Sequence, residues 1–90
     1  MKNTPLHYAA GAGNTEVCEI LVDAGALVNK KDLEGCTPLH YAAAGNFYDT
    51  INALVRLGAD ALMKNYDDKT PADLATDERV VELFNHIEIE

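Results

Sequence analysis

The sequence predicts an all-α solenoid in which a pair of helices is repeated and stacked on its own copies. Seven residues, Thr4–Ala10, recur identically at Thr37–Ala43, and a weaker copy begins at Thr70. The step from the first copy to the second equals the step from the second to the third. Periods of about 20–50 residues are typical of solenoids, because each unit buries its apolar face only against its neighbours. We therefore interpret the 90 residues as one domain of about two and a half units.

The composition is that of a small, acidic, globular chain. Hydrophobic residues make up 48% of the sequence and the formal net charge is -8, which disfavours nucleic acid and membrane surfaces as partners. The chain contains no serine, so a Ser-His-Asp triad is excluded. No apolar run approaches the length of a membrane helix, and residues 1–5 lead into no hydrophobic segment, so we expect no export signal. With only two distant cysteines, we expect an intracellular location, cytoplasmic or nuclear.

Each copy opens with a Thr–Pro pair, which is typical of a helix N-terminus because threonine caps the helix and proline suits its first turn. Apolar residues at helical spacing predict a second helix near 15–24, with a counterpart around 51–55. Gly25 and Gly58 follow these helices, where a left-handed residue would end each one. The three pairs are Thr4–Pro5, Thr37–Pro38 and Thr70–Pro71.

The T-P-L-H-Y-A-A segment returns at a fixed period of about 33 residues, and in both respects the sequence resembles the ankyrin-repeat family. The resemblance implies units that each contain a helix, a short loop, a second helix and a hairpin-like turn. Their predicted bounds are residues 4–36, 37–69 and 70–90. It also implies a non-catalytic module that binds a partner protein through its turn tips and concave helix face.

The third copy departs from this pattern. Thr70 and Val80 are three positions closer in sequence than the equivalent pairs of the earlier copies, Thr4 with Val17 and Thr37 with Thr50. We interpret this as three residues missing from the loop between the helices. Residues 70–90 also carry -5 of the net charge, from one basic and six acidic residues. A terminal unit must present one face to water, so we predict a C-terminal cap.

The N-terminal end has no comparable charged cover, since only three residues precede the first Thr–Pro pair. About two and a half units is fewer than a solenoid usually needs for independent stability. We expect either self-association or further repeats at this face. The alternative function follows: a structural C-terminal cap or spacer of a longer ankyrin-repeat protein whose binding residues lie elsewhere.

The histidines and cysteines are expected to be structural. His7 and His40 occupy equivalent positions, and the resemblance implies that each bonds the neighbouring threonine and the adjoining turn, whereas His86 is expected to face solvent. Cys18 lies on an apolar helix face and is predicted to be buried. Cys36, next to the turn, is predicted to be exposed and the more reactive thiol. No spacing suits a metal or a cofactor, and we expect no catalysis.

Carried over from the family, the partner-binding surface consists of turn tips and first-helix ends. Leu33 and Tyr66 are equivalent and would serve as contact anchors, although packing on neighbouring turns is an open alternative. Asp68 replaces a glycine, so we expect the second turn to be distorted. The acidic chain favours a partner with a basic segment. The predicted binding residues are Lys31, Leu33, Glu34, Cys36, Ala44, Gly45, Lys64, Tyr66, Asp67 and Lys69.

The resemblance also implies a modification site. Asn29 matches the asparagine that ankyrin proteins can present to an oxygen-dependent hydroxylase, and Leu62 occupies the equivalent position one unit later. The alternative is that the Asn29 side chain completes the turn.

Overall fold

The computed structural model describes the backbone of residues 3–89 and the side chains through Ile87, and in this part of the chain the fold is six helices without a strand. The predicted all-α fold is therefore confirmed. We call α1, α3 and α5 the inner helices and α2, α4 and α6 the outer helices. Each series packs in order along the stack. The helices are α1 Pro5–Gly11, α2 Thr15–Asp23, α3 Pro38–Ala44, α4 Tyr48–Arg56, α5 Pro71–Leu74 and α6 Glu78–Ile89.

The inner helices begin where the Thr–Pro pairs predict. Thr4, Thr37 and Thr70 each have extended backbone and form a capping box with the third helical residue, which satisfies backbone N–H groups that the first turn leaves free. After the outer helices, Gly25 and Gly58 adopt φ of 106° and 107°. That left-handed conformation favours glycine and ends each helix as predicted.

Small side chains line the seam between successive inner helices. Ala9, Ala10, Ala42 and Ala43 are buried, together with the larger apolar residues of the core. An alanine side chain is no more than a methyl group, so neighbouring helices can approach closely. The core therefore runs continuously between the helix pairs, as the repeat predicts.

The shortening of the third copy lies in a helix, so the prediction of a shortened loop was wrong. Helix α5 has four residues, whereas α1 and α3 have seven. The loops before α2, α4 and α6 each contain three residues. The last loop keeps its length because the Asn46 side chain bonds it to the preceding one, accepting the backbone N–H groups of Thr76 and Asp77 at 2.9 Å. Removing three residues takes away nearly one helical turn and leaves these contacts in place.

Asn46 itself occupies the position of Gly13, one repeat later. Its φ is 58° and that of Gly13 is 70°, so both residues adopt the left-handed conformation. Asparagine tolerates this conformation better than most residues. The loop between α3 and α4 therefore keeps the conformation of its counterpart between α1 and α2.

Helix α6 presents two different faces. Val80 and Phe84, one turn apart, are buried in the core, whereas Glu78, Glu82 and Asn85 are exposed. One side of this helix therefore continues the core and the other is polar. His86 is exposed, as expected.

We expect Ala42→Leu to lower the free energy of unfolding by about 1–3 kcal/mol, because the added carbons would overpack the seam between inner helices. Ala44→Leu makes the same chemical change at an exposed position of the same helix. We expect it to change the free energy by less than about 0.5 kcal/mol. Urea denaturation of both variants checks this, and equal destabilisation would contradict the packing described for α3.

Candidate protein-binding surface

Two hairpin-like turns connect the helix pairs, and an equivalent side chain holds each one. In the first turn, Asp32 Oδ1 accepts the backbone N–H groups of Glu34 and Cys36, both at 2.9 Å. In the second turn, Asn65 Oδ1 accepts those of Asp67 and Lys69 at 2.9 and 3.0 Å. An aspartate or asparagine that bonds nearby backbone N–H groups is a common turn anchor. The two turns thus share one internal geometry.

Asp68 does not distort the second turn, so that prediction was wrong. Asp68 adopts φ of 66°, close to the 79° of its equivalent, Gly35. Aspartate is one of the few residues that adopt this conformation at modest cost. The same backbone hydrogen bond closes both turns, from Asp32 N–H to the Cys36 carbonyl and from Asn65 N–H to the Lys69 carbonyl, each at 2.9 Å.

Buried histidines connect each turn to the inner helix before it. His7 Nδ1 accepts the Thr4 N–H at 3.1 Å, and its Nε2 lies 2.9 Å from the Cys36 carbonyl. His40 makes the same contacts, with the Thr37 N–H at 3.0 Å and the Lys69 carbonyl at 2.8 Å. A carbonyl oxygen can only accept, so Nε2 must donate. The implied structural role of both histidines is confirmed.

The Asn29 side chain connects the segment after α2 to the equivalent segment after α4. It donates to the Gly58 carbonyl at 3.2 Å and accepts the Asp60 N–H at 2.8 Å. The Asn29 side chain thus has a structural role, but it bonds the backbone after α4 and not that of its own turn. Hydroxylation stays a prediction.

The two expected anchors lie at the turn tips, and both are exposed. The exposed fraction is 69% for Leu33 and 70% for Tyr66. The Tyr66 ring also packs on the preceding turn, since a Cβ atom added to Gly35 would lie only 2.7 Å from its Cδ1. Lys31 Nζ lies 5.8 Å from the ring centroid, within the range of a cation–π interaction. Tyr66 therefore packs locally and still offers most of its surface to a partner.

Cys36 was predicted to be exposed and reactive, and that prediction was wrong. Only 6% of the residue is exposed. The Cys36 N–H donates to Asp32 Oδ1, and the Cys36 carbonyl accepts from His7 Nε2. These two bonds keep the Cys36 backbone in the interior. Its Sγ lies 3.5 Å from Asn65 Nδ2, and burial raises the pKa of the thiol. Cys18 is fully buried, as predicted, and burial likewise raises its pKa.

The other predicted binding residues are exposed, and the turn segments carry no net charge. Residues 30–36 contain two lysines and two carboxylates, and so do residues 63–69. Lys64 Nζ lies 3.5 Å from Asp68 Oδ1, and both side chains are largely exposed, so the pair contributes little to stability. The exposed predicted residues besides the two anchors are Lys31, Glu34, Ala44, Gly45, Lys64, Asp67 and Lys69.

The sequence analysis missed the partner of the Asp32 carboxylate. The Tyr41 hydroxyl donates to Asp32 Oδ2, and Asn3 Nδ2 donates to the same oxygen at 3.2 Å. Burial favours the neutral acid, but the hydrogen bonds from Tyr41 and the turn N–H groups outweigh it, so the pKa of Asp32 lies below its usual range. The same bond, together with burial, raises the pKa of Tyr41 to about 12. The sequence did contain a signal for the role of Asp32 in its turn. Asp32 and Asn65 occupy equivalent positions in successive copies, and the side chains of both residue types can bond the backbone of a turn.

Two kinds of site are absent from the described residues. Among the side chains of residues 3–87, no cluster of three or more histidine, cysteine or acidic groups has a geometry that could hold a metal ion. No helix within residues 3–89 is both long and apolar enough to cross a bilayer.

We expect Asp32→Asn to lower the free energy of unfolding by about 1–3 kcal/mol at neutral pH, because asparagine loses the charged acceptor for Tyr41. The pKa of Asp32 is lower in the folded chain, so the unfolded chain binds the proton first as the pH falls. The stability that the carboxylate contributes is therefore lost below about pH 4.

The measurement is chemical denaturation at a series of pH values for wild type and Asp32→Asn, with Asp67→Asn at an exposed turn position measured beside them. The stability difference between wild type and Asp32→Asn should narrow below about pH 4. A difference that stays constant down to the acid limit would contradict the role given to this carboxylate.

The comparisons with known proteins agree with this geometry. The sequence model of a family described as ankyrin repeats (3 copies) matches residues 1–65. A search of curated proteins finds no match. The matched range spans the first two helix pairs and the whole of the first turn. Together with the regular period, the capped inner helices and the histidine bonds to the turns, this match shows that the chain belongs to the ankyrin-repeat family.

Proposed function

We propose that this chain is a non-catalytic module that binds a partner protein through its turn tips and the adjoining end of α3. Ankyrin repeats generally act as protein-interaction modules. The observation that carries the proposal is the pair of equivalent side chains, Leu33 and Tyr66, which are 69% and 70% exposed on turns with firmly held backbones. Exposed apolar and aromatic side chains of this kind are typical binding anchors.

The rigidity of the turns supports this assignment. Each turn is held internally by Asp32 or Asn65 and from the preceding helix by His7 or His40. A partner would therefore meet side chains on a backbone that is already ordered. Binding to a preorganised surface loses less conformational entropy than binding to a mobile loop.

The proposed surface combines these anchors with a polar rim. We assign the rim to Lys31, Glu34, Lys64, Asp67 and Lys69, all of which are exposed. Ala44 and Gly45 lie at the end of α3 and are exposed. Cys36 is removed from the assignment because it is buried.

We also propose that the partner contains a basic segment. The turn segments are neutral, so the net charge of -8 comes from the rest of the chain, above all residues 70–90. A distant field of this kind acts on the rate of association more than on the contacts of the bound state. It is screened beyond roughly 8–10 Å at physiological salt.

The units are proposed to be residues 4–36, 37–69 and 70–90, with the last one a C-terminal cap. The polar outward face of α6, with Glu78 and Glu82 exposed, supports the cap. It equally favours a second candidate function, that of a structural cap of a longer ankyrin-repeat protein.

The free thiols of Cys18 and Cys36 support an intracellular location, where thiols stay reduced.

We expect the double variant Leu33→Ala/Tyr66→Ala to lose any partner that the wild-type chain captures from a cell lysate. The matched control is Leu62→Ala/Tyr48→Ala, which removes the same two residue types at other exposed positions. The control should retain the partner. Quantitative binding of the identified partner should weaken by about tenfold or more in the tip variant, as is usual when an anchor is truncated.

Retention by the tip variant, or equal loss in the control, would contradict the proposed surface. Capture of no partner by the wild-type chain would favour the second candidate, the structural cap. With a partner in hand, its association rate is measured at rising salt. An association rate that does not change with salt would contradict the proposal of a basic segment and would leave the proposed surface unaffected.

A further inference from the structure

The side of the first helix pair that faces away from the second pair is apolar, and none of the described residues covers it. We call it the N-terminal face and define it by Pro5, Tyr8, Val17, Ile20 and Leu21. The first four of these residues are exposed. Two shallow cavities, of about 230 and 620 Å³, share Pro5 and Leu21 in their walls. The face is therefore a continuous surface between α1 and α2.

The repeat shows what kind of surface this is. Residues one repeat later occupy the equivalent face of the second helix pair, where α1 and α2 cover them. Ile20 is 58% exposed, whereas its equivalent, Ala53, is buried, and Val17 and Thr50 differ in the same way. Pro5 and Pro38 form a third such pair. The N-terminal face thus has the position of a helix-packing interface and has no cover from the described residues.

The side chains of this face favour an apolar occupant. In the packed interface between α2 and α4, Thr50 Oγ1 lies 2.7 Å from Thr15 Oγ1. The residue equivalent to Thr50 on the N-terminal face is Val17, which has no hydroxyl group and offers only apolar contact. The five residues that define the face are uncharged, and Lys30 lies at the wall of one cavity. A highly charged partner would find few opposite charges here. An occupant with an equally uncharged, apolar surface would leave no charge buried.

A second copy of this chain has two end surfaces that could cover the N-terminal face: the outward side of its α6 and its own N-terminal face. Its outward side of α6 exposes Glu78 and Glu82, so stacking the N-terminal face on it would bury carboxylates at a high desolvation cost. Its own N-terminal face is uncharged. Its third helix pair packs on the far side of the second, and residues 70–87 of that pair contain four acidic residues and one basic residue. Pairing two N-terminal faces keeps these acidic segments apart.

We propose that two copies of this chain pair through their N-terminal faces in a symmetric dimer. The same residues meet on both sides, so the assembly closes at two copies and cannot grow into a filament. The turn tips and the N-terminal face are defined by different residues. This dimer is therefore independent of the proposed binding of a partner at the tips.

Sedimentation velocity of the full chain tests the proposal from low micromolar to several hundred micromolar concentration. We expect a monomer–dimer equilibrium that saturates at two copies. Ile20→Glu and Ile20→Lys should each weaken it by about tenfold or more, because either charge would be buried without a partner. Substituting both a negative and a positive side chain separates the cost of burying a charge from the repulsion between two acidic chains. Lysine makes the net charge less negative, so repulsion alone would weaken the dimer only in Ile20→Glu.

Leu62→Glu and Leu62→Lys are the matched controls, because Leu62 is 63% exposed and lies outside the N-terminal face. They should leave the dimer unchanged, as should Leu33→Ala/Tyr66→Ala. Tyr8→Glu tests the same face from α1, so the experiment does not depend on one variant, and circular dichroism checks the helix content of each.

Three results would overturn the proposal. The first is a monomer at every concentration, which would leave the face to another occupant. The second is growth beyond two copies. The third is a dimer that survives the Ile20 and Tyr8 substitutions, or one that Ile20→Glu weakens and Ile20→Lys does not.

Discussion

The hydrogen bonds of a buried histidine ring connect each of α1 and α3 to the hairpin-like turn that follows it. In His40, one ring nitrogen accepts the N–H at the start of α3 and the other donates to the Lys69 carbonyl at the end of the turn. A single side chain thereby fixes the position of a turn relative to a helix that begins much earlier in the chain. Because the ring is buried, losing either bond would leave a polar group unpaired, which is costly.

The proposed binding surface depends on this connection. His7 and His40 hold the ends of the two turns, Asp32 and Asn65 hold their interiors, and the tips are left free. In the third helix pair the equivalent residue is Asp73, whose carboxylate accepts the Thr70 N–H at 2.9 Å. The shorter side chain keeps the helix cap without reaching to another turn. The histidine is thus present in the first two helix pairs and absent from the third.

Most of the fold follows from the repeat, because identical segments with the same neighbours must adopt the same local structure. The Thr–Pro starts and the glycine stops were predictable in this way, whereas the histidine bonds were implied by the resemblance to the ankyrin-repeat family. Features that depend on contacts between unlike residues were not predictable. Cys36 precedes the next helix and looks exposed in sequence, yet backbone bonds to Asp32 and His7 draw it inward. The shortening of α5 likewise reflects a contact from Asn46 that no local pattern reveals.

The protonation of the His40 ring tests this account most directly. Burial lowers the pKa of His40, although the bond to the Lys69 carbonyl opposes the shift. A long-range proton–nitrogen correlation spectrum, assigned with a His40→Gln variant, reads the state of both ring nitrogens. As the pH falls, this ring should take up its second proton below the usual histidine pKa. At neutral pH the account predicts a neutral ring with its proton on Nε2. A ring protonated on Nδ1, whether neutral or doubly protonated, would contradict it.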